Sequence, residues 1–262
     1  ALSGGTFGEA LSMFTGSSVE TVRLHVPQAF LTRREEVRNM IAQKRTELIL
    51  QGKDEEAQKV PDADQLADPS DTFTLSLDSF LLWSKLLSWR EAGFVMGLGC
   101  TADGCDRTLE QVRGMGLQSP HAYGILDVLE ITDASGVNHR LIKIRNPWGE
   151  RAEVTWQGAW GPDSKEMTHD MKLKLGVINH AGVQMSDGKS IFFMSFEDVK
   201  DYFVTLDVAR VHDNWYDESL KGWIPCQIGP GECFDLTVDK RTQVDIAVWQ
   251  EKHRTREAAM GA

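Results

Sequence analysis

The fold is decided by residues 121–149, which read HAYGILDVLEITDASGVNHRLIKIRNPWG. Residues 121–131 read as one strand and residues 139–145 as the next, where Leu141, Lys143 and Arg145 alternate with Ile142 and Ile144 at the period of a β-strand. Between these two runs, residues 133–136 have the Asp, Ser and Gly composition of a tight turn. The stretch therefore predicts an antiparallel β-hairpin.

The two ends of this hairpin carry side chains that the pairing should bring together. His121 begins the first strand and Asn146 follows the second, and antiparallel pairing places the start of one strand beside the end of the next. An Asn oxygen that accepts the imidazole N–H would fix the ring tautomer and leave the other ring nitrogen to take a proton from a nucleophile. Trp148 would shield this bond from water. We interpret His121 and Asn146 as a candidate catalytic pair.

Composition excludes several functional classes. The 262 residues are 41% hydrophobic and 26% charged, as expected for a globular chain of one large domain or one domain plus part of another. The 39 acidic residues outnumber the 28 basic ones, and the net charge of −11 argues against binding to nucleic acid or to anionic membranes. No apolar run approaches the ~20 residues that span a bilayer. The 4 Cys are too few for a disulfide scaffold and indicate a reducing compartment.

The first half of the chain is predicted to be mainly helical. Residues 1–30 read as loop and short extended segments, and the capping pattern from Thr32 to Glu35 predicts a helix that ends at Gly52. Residues 53–72 are acidic and contain two prolines, so we interpret them as a surface insertion. A second helix over 77–92 has a wide apolar face that includes Phe80, Leu81, Trp83 and Leu86. A buried strand over 94–99 and a loop over 101–119 complete this half.

After the hairpin the pattern is mixed and then turns to β-structure alone. We predict a short helix between Asp163 and Gly176, a strand over 190–194, a helix capped by Ser195 and a strand over 205–210. Beyond Trp215 the predicted strands, 234–238 and 244–249, follow one another without a helix. The sequence thus predicts an α+β fold followed by the opening of an all-β domain.

Several motifs give this sequence a family resemblance. His121-Ala122-Tyr123 is followed by IRNPWGE at 144–150, WQGAW at 156–160 and MSFED at 194–198, and ALSGG opens the chain with FTG at 14–16. In this order and spacing they resemble the calpain family of papain-like cysteine proteases. The resemblance extends over residues 1–210.

The resemblance implies a fold, a domain division and roles for three side chains. It implies that 1–212 form the β-rich second protease subdomain and that 213–262 begin a C2-like β-sandwich. His121 takes the position of the general base, Asn146 that of the residue orienting it, and Trp148 that of the indole packed over the pair. The implied function is that of a calcium-dependent type of cysteine endopeptidase acting on protein substrates in the cytoplasm.

The nucleophile that such a protease needs is not apparent among the four cysteines. No Gln-x-Gly-x-Cys-Trp string occurs, and we interpret Cys100 as a buried packing thiol. Cys105 lies among acidic residues that disfavour a thiolate, and Cys226 and Cys233 lie beyond the protease subdomain. We therefore expect the chain to be a fragment that supplies the His and Asn half of the active site, inactive alone, and to be completed by an N-terminal Cys-bearing subdomain.

An alternative function is a non-catalytic scaffold of calpain-like fold, associated with the cytoskeleton or a flagellum. The presence of both His121 and Asn146 favours the protease, because a decayed site has no chemical reason to keep the pair. The residue at the nucleophile position upstream of Ala1 would separate the two: Cys supports a protease, and Ser, Gly or Lys supports a scaffold.

The resemblance also implies a calcium site, which this sequence carries in a weakened form. Thr155 stands at one acidic ligand position, and Lys189 stands where the Asp-Gly-Glu turn of the family would supply another. Asp163 and Asp187 remain as weak candidate ligands. Because calcium needs six to eight oxygen ligands and Lys189 repels a cation, we expect a degraded site and no cofactor requirement.

Overall fold

A computed structural model of the chain describes residues 6–26, 28–61, 78–102, 107–151, 154–185, 190–213, 215–216, 218, 220 and 235–247, without the side chains of 28–30 and 150. The chain divides into two compact units, Ala1–His212 and Asp213–Ala262. Both helices and strands occur in the first unit, as predicted for the α+β class. No helix in these ranges is both long and apolar enough to cross a membrane.

One six-stranded antiparallel sheet forms the frame of the first unit. Its strands are β1 (Val19–Arg23), β2 (Val95–Cys100), β3 (His121–Thr132), β4 (Asn138–Arg145), β5 (Ile191–Ser195) and β6 (Thr205–Ala209). They lie in the order β1-β6-β2-β3-β4-β5, so the predicted hairpin of β3 and β4 is confirmed and lies inside the sheet. A bulge between Ile125 and Asp127 interrupts its register.

The described residues also form helices. They are α1 (Phe7–Thr15), α2 (Gln28–Leu50), α3 (Asp54–Lys59), α4 (Ser79–Glu91), α5 (Leu109–Gly114), α6 (His169–Lys174) and α7 (Phe196–Tyr202), with a 3-10 turn at Gly149–Arg151. The helix capped by Ser195 is confirmed, since the Ser195 hydroxyl accepts the N–H of Asp198 at 3.0 Å.

Each face of the sheet carries its own hydrophobic core. Successive residues of a strand point to opposite faces, so Ile142 and Ile144 of β4 lie in the larger core while Leu141 lies in the smaller. The larger core receives Trp83 and Leu86 from α4, together with Tyr123 of β3 and residues of α7. In the smaller core, Leu141 packs with Trp160, Met167, Met171, Leu175 and Phe193.

The N-terminal helix α1 was not predicted, although the sequence carries its signals. Thr6 and Glu9 form a reciprocal capping box, and Gly16 closes the helix in the left-handed conformation with φ of 69°. Phe7 then lies over Gly97 of β2, where an added Cβ would come within 1.8 Å of the Phe7 ring. This close approach is the reason that β2 contains a glycine at this position.

The long helix and the acidic insertion also differ from expectation. α2 begins at Gln28, so the capping box proposed at Thr32 lies inside the helix and is wrong. The preceding residues are compatible with a helix, and an internal Thr-x-x-Glu pattern does not stop it from extending. The helix does end before Gly52, whose φ is 72°. Within 53–72, α3 forms at 54–59, so part of the predicted loop is helical, and 62–77 lie outside the described residues.

Further helix predictions need smaller corrections. α4 buries Leu82, Trp83, Leu86 and Trp89. Phe80, which was predicted to lie on the apolar face of this helix, is 78% exposed. α5 occupies part of the segment predicted as loop, with Thr108 and Gln111 as its capping box. The helix predicted between Asp163 and Gly176 forms only at α6, where Thr168 provides the cap.

The second unit lacks the two predicted strands in its described portion. Residues 235–247 carry no strand, and their side chains are exposed. Isolated extended segments are not stable as strands, because a strand needs a paired neighbour. The assignment of 213–262 to a C2-like sandwich stays a prediction.

The turn of the β3–β4 hairpin is organised by one carboxylate. Asp133 accepts hydrogen bonds from the Ser135 N–H at 2.8 Å, the Ser135 hydroxyl at 2.6 Å and the Val137 N–H at 3.0 Å. Its second oxygen lies 2.8 Å from His139 Nε2, and the His139 ring packs against Trp160. The hydrogen bond to His139, followed by those to Ser135 and Val137, lowers the pKa of Asp133 below its ordinary value.

This lowered pKa predicts that the hairpin turn loses stability in acid. Because the pKa of Asp133 is lower in the folded chain than in the unfolded chain, the carboxylate stabilises the fold fully above its unfolded pKa of about 4. That stabilisation disappears as the pH falls below about 4. We expect Asp133→Asn to lower the melting temperature at pH 7 and to have a shrinking effect toward pH 3. Asp163→Asn, on an exposed loop, is the control, and an effect of Asp133→Asn that is independent of pH would contradict the prediction.

Candidate active site

The sheet register brings the ends of β2, β3 and β4 to one edge of the first unit. His121 pairs with Cys100 at one end of the β2–β3 ladder, and Gly124 pairs with Arg145 at the end of the β3–β4 ladder. The chain continues from Arg145 to Asn146, whose N–H donates to the Ser190 carbonyl oxygen at 2.7 Å. This bond continues the pairing of β4 with β5 by one residue beyond Arg145, and it fixes the backbone of Asn146.

The His121 and Asn146 side chains are in hydrogen-bond contact, as the hairpin predicts. His121 Nε2 lies 2.9 Å from Asn146 Oδ1, and the same oxygen accepts the backbone N–H of Trp148 at 3.1 Å. A backbone N–H can only donate, so the amide atom that it meets is the oxygen and not the NH₂ group. His121 Nε2 must then carry a proton, and the neutral form of the ring is the Nε2–H tautomer.

This tautomer leaves Nδ1 of His121 as a proton acceptor. In the described part of the chain, no hydrogen-bond partner occupies Nδ1, and the His121 residue is half-buried. Asn146 is 2% exposed, so its bond to His121 is sheltered from competing water. An imidazole held in this way can accept a proton from a nucleophile brought to Nδ1.

Trp148 packs against the pair as the sequence predicted. Its ring centroid lies 4.6 Å from that of His121, with 52° between the two planes. The indole is 49% exposed, so it covers one side of the imidazole and presents its other surface outward. Gly149 follows with φ of 60° and donates its N–H to the Asn146 carbonyl at 3.1 Å, which turns the chain directly after the Asn.

A second aromatic ring contacts His121, and sequence reasoning missed it. Tyr123 lies 4.9 Å from His121 in an edge-to-face arrangement with 84° between the planes. Its signal was available, because residues i and i+2 of a strand share a face. Two other participants, the Ser190 carbonyl and the Gln118 N–H that donates to Tyr123, had no comparable signal, since both contacts depend on loops folding back.

Cys100 is placed as predicted, as a packing thiol. It is 2% exposed, and its thiol donates to the Tyr202 carbonyl oxygen at 3.7 Å. Burial of this kind keeps a thiol away from substrate. Cys105, Cys226 and Cys233 lie outside the described residues.

The described residues at the expected calcium site do not fit calcium. Asp163 is exposed and borders a cavity of about 400 Å³, together with Thr155, Gln157, Lys172 and Gln184. Asp163 is the one carboxylate among the described lining residues, and Lys172 brings a positive charge. Asp187 lies outside the described residues. Elsewhere in the described ranges, no group of three or more His, Cys, Asp or Glu side chains forms a metal site.

Comparison with known proteins identifies the class of protein that carries this His–Asn hairpin. Residues 1–210 match the model of the calpain family cysteine proteases. The match covers most of the chain, and the chain therefore belongs to the calpain family. The resemblance inferred from the motifs is confirmed.

The relatives are much longer than this chain. Over 148 residues it is 36% identical to the calpain-type cysteine protease DEK1 of Arabidopsis thaliana, covering 56% of this chain and 6% of that protein. The maize DEK1 is 38% identical over 138 residues, which is 53% of this chain and 6% of the relative. The rat calpain-1 catalytic subunit is 34% identical over 144 residues, covering 54% of this chain and 19% of the subunit.

The double acceptor role of Asn146 predicts a measurable stability contribution. Asn146→Ala removes one oxygen that serves two N–H donors, so we expect the free energy of unfolding to fall by about 1–3 kcal/mol in urea titrations. Asn179 is the matched control, because its exposed side chain also accepts two backbone N–H groups, those of Ala181 and Val183. Equal losses for Asn146→Ala and Asn179→Ala would show that burial of the His–Asn bond adds nothing.

The poor ligand set at Asp163 predicts that calcium does not bind tightly. We expect titration calorimetry of the chain with calcium to give no binding at micromolar concentration, because the described residues that line the cavity include a single carboxylate. Asp163→Ala should leave this result unchanged. Micromolar binding that is lost in Asp187→Ala would contradict the prediction.

Proposed function

We propose that this chain supplies the general-base half of a calpain-like cysteine endopeptidase and that it is inactive without a Cys-bearing subdomain. The observation that carries the proposal is the 2.9 Å contact between His121 Nε2 and Asn146 Oδ1, with the amide orientation fixed by the Trp148 N–H. Family membership supports a proteolytic function and protein substrates.

The proposed chemistry starts at Nδ1 of His121. A cysteine thiol delivered by the other subdomain gives its proton to Nδ1, and the resulting thiolate attacks the carbonyl carbon of the scissile peptide bond. The tetrahedral intermediate collapses, the C–N bond breaks, and His121 returns the proton to the leaving amine. Water, deprotonated by the same Nδ1, then attacks the thioester carbonyl carbon. The C–S bond breaks, the carboxylic acid leaves, and His121 returns the proton to the sulfur to regenerate the thiol.

Asn146 and Trp148 act on this sequence through the His121 ring. Asn146 Oδ1 holds the Nε2 proton in place, so Nδ1 is the nitrogen that changes protonation. It also stabilises the imidazolium that exists between the two proton transfers. Trp148 covers part of the ring and strengthens the His–Asn bond by excluding water from it.

Cys100 is not the nucleophile in this proposal. Its thiol is buried in the larger core and donates to the Tyr202 carbonyl, and it belongs to the ladder behind His121 rather than to an exposed surface. A thiol in this position has no access to a substrate. In this proposal the nucleophile comes from the Cys-bearing subdomain that the family resemblance implies.

We expect that the chain alone hydrolyses no peptide in a peptidase assay. A His–Asn pair without a thiolate can accept a proton but cannot form an acyl-enzyme. Inhibitor-sensitive hydrolysis by the purified 262-residue chain, abolished when one of its own cysteines is changed, would refute the proposal.

The complementary measurement restores the missing half. We expect a polypeptide that joins a Cys-bearing calpain subdomain to this chain to cleave casein, and His121→Ala to lose this activity by several orders of magnitude. His180→Ala, an exposed histidine of the same unit, is the matched control and should retain it. A folded joined polypeptide that stays inactive would favour the alternative, a non-catalytic scaffold associated with the cytoskeleton or a flagellum.

A further inference from the structure

His121 is held by contacts on three sides, and one of them has no role in the chemistry above. Asn146 holds Nε2, Trp148 packs on the ring at 4.6 Å, and Tyr123 meets it edge-to-face at 4.9 Å. Trp148 is 49% exposed whereas Tyr123 is 1% exposed. Of the two aromatic contacts, Tyr123 is therefore the one that belongs to the packed interior.

The Tyr123 ring is fixed by its own surroundings. Phe203 and Phe192 meet it edge-to-face at 5.4 Å and 6.1 Å, and both are almost completely buried. Aromatic rings in such a cluster have one well-packed orientation, because any rotation opens a void or creates an overlap. The packing of the larger core therefore fixes the orientation of the Tyr123 ring that contacts His121.

The Tyr123 hydroxyl also ties the segment that leads into His121. It accepts the backbone N–H of Gln118 at 2.8 Å, so the strand after His121 is bonded to the loop before it. Burial raises the pKa of the Tyr123 phenol well above its ordinary value. The hydroxyl is consequently neutral at every pH at which a histidine titrates, and this tie does not change when His121 gains a proton.

We propose that Tyr123 is a positioning residue: anchored to Gln118 through its hydroxyl, it holds the His121 ring so that Nε2 remains on Asn146 and Nδ1 remains available. The inference deepens the proposed function and rests on it. A ring that turned by half a rotation about its Cβ–Cγ bond would put Cε1 in the place of Nε2 and Cδ2 in the place of Nδ1, so the bond to Asn146 would be lost and no nitrogen would face the nucleophile. Tyr123 opposes this rotation from the buried side of the imidazole.

The test reads the His121 ring itself by NMR of the 262-residue chain labelled with ¹⁵N-histidine. The chain has 7 His, so the His121 signals are assigned as those missing in His121→Gln. In the unaltered chain we expect the Nε2–H tautomer to dominate. In Tyr123→Phe we expect mixed tautomers, and a titration midpoint of His121 that moves in the same direction as in Asn146→Ala but by less.

Tyr202→Phe is the matched control. Tyr202 is also a buried tyrosine of the larger core, and its described ring contacts are with Trp156 and Arg107 rather than with His121. It should leave the tautomer and titration of His121 as they are in the unaltered chain. If Tyr123→Phe does not fold, a fluorinated tyrosine at position 123 keeps the ring in place and weakens the oxygen as an acceptor, and the same shift, smaller, is expected.

Two different failures can be distinguished in this experiment. If His121 in the unaltered chain is not mainly the Nε2–H tautomer, the proposed role of the His–Asn pair is wrong. If that tautomer dominates but Tyr123→Phe leaves it and the titration unchanged, only the present inference is overturned, whatever happens to the melting temperature. In the joined, active polypeptide, support would also appear as a lower kcat for Tyr123→Phe with KM unchanged.

Discussion

The first unit depends on the antiparallel pairing of β3 with β4. This ladder lies inside the six-stranded sheet, and each of its faces is buried under a separate core. Since the side-chain period of a strand is two residues, a slip of one residue would exchange the two cores. The pairing is therefore strongly specified, and it is the same pairing that puts His121 beside Asn146.

The candidate site is built where this rigid ladder ends. Asn146 is the first residue after β4, and its side-chain oxygen joins His121 to the backbone of Trp148. The sheet holds the backbone of a residue at the end of a strand in a fixed position, and its side chain can still turn toward a partner. Trp148 packs on the imidazole and Gly149 turns the chain, so a few consecutive residues provide orientation, shielding and a sharp change of direction.

The same sheet separates residues with similar chemistry into different environments. His121 and His139 both lie on the hairpin and both contact an oxygen-bearing side chain through Nε2. His139 meets the carboxylate that organises the turn, while His121 meets a neutral amide at the other end. A neutral acceptor fixes a tautomer without adding a charge, which suits the proton acceptor proposed for His121, whereas the Asp133–His139 pair is suited to holding a turn.

The sequence by itself determined the α+β class, the hairpin, the contact of His121 with Asn146 and the family. These features depend on local alternation and on motifs whose order along the chain is enough to recognise them. Tertiary structure alone decided which side of α4 is buried and that the Ser190 carbonyl supports the site. Each of these depends on contacts between residues distant in the chain, and local propensity is too weak to fix them once packing competes.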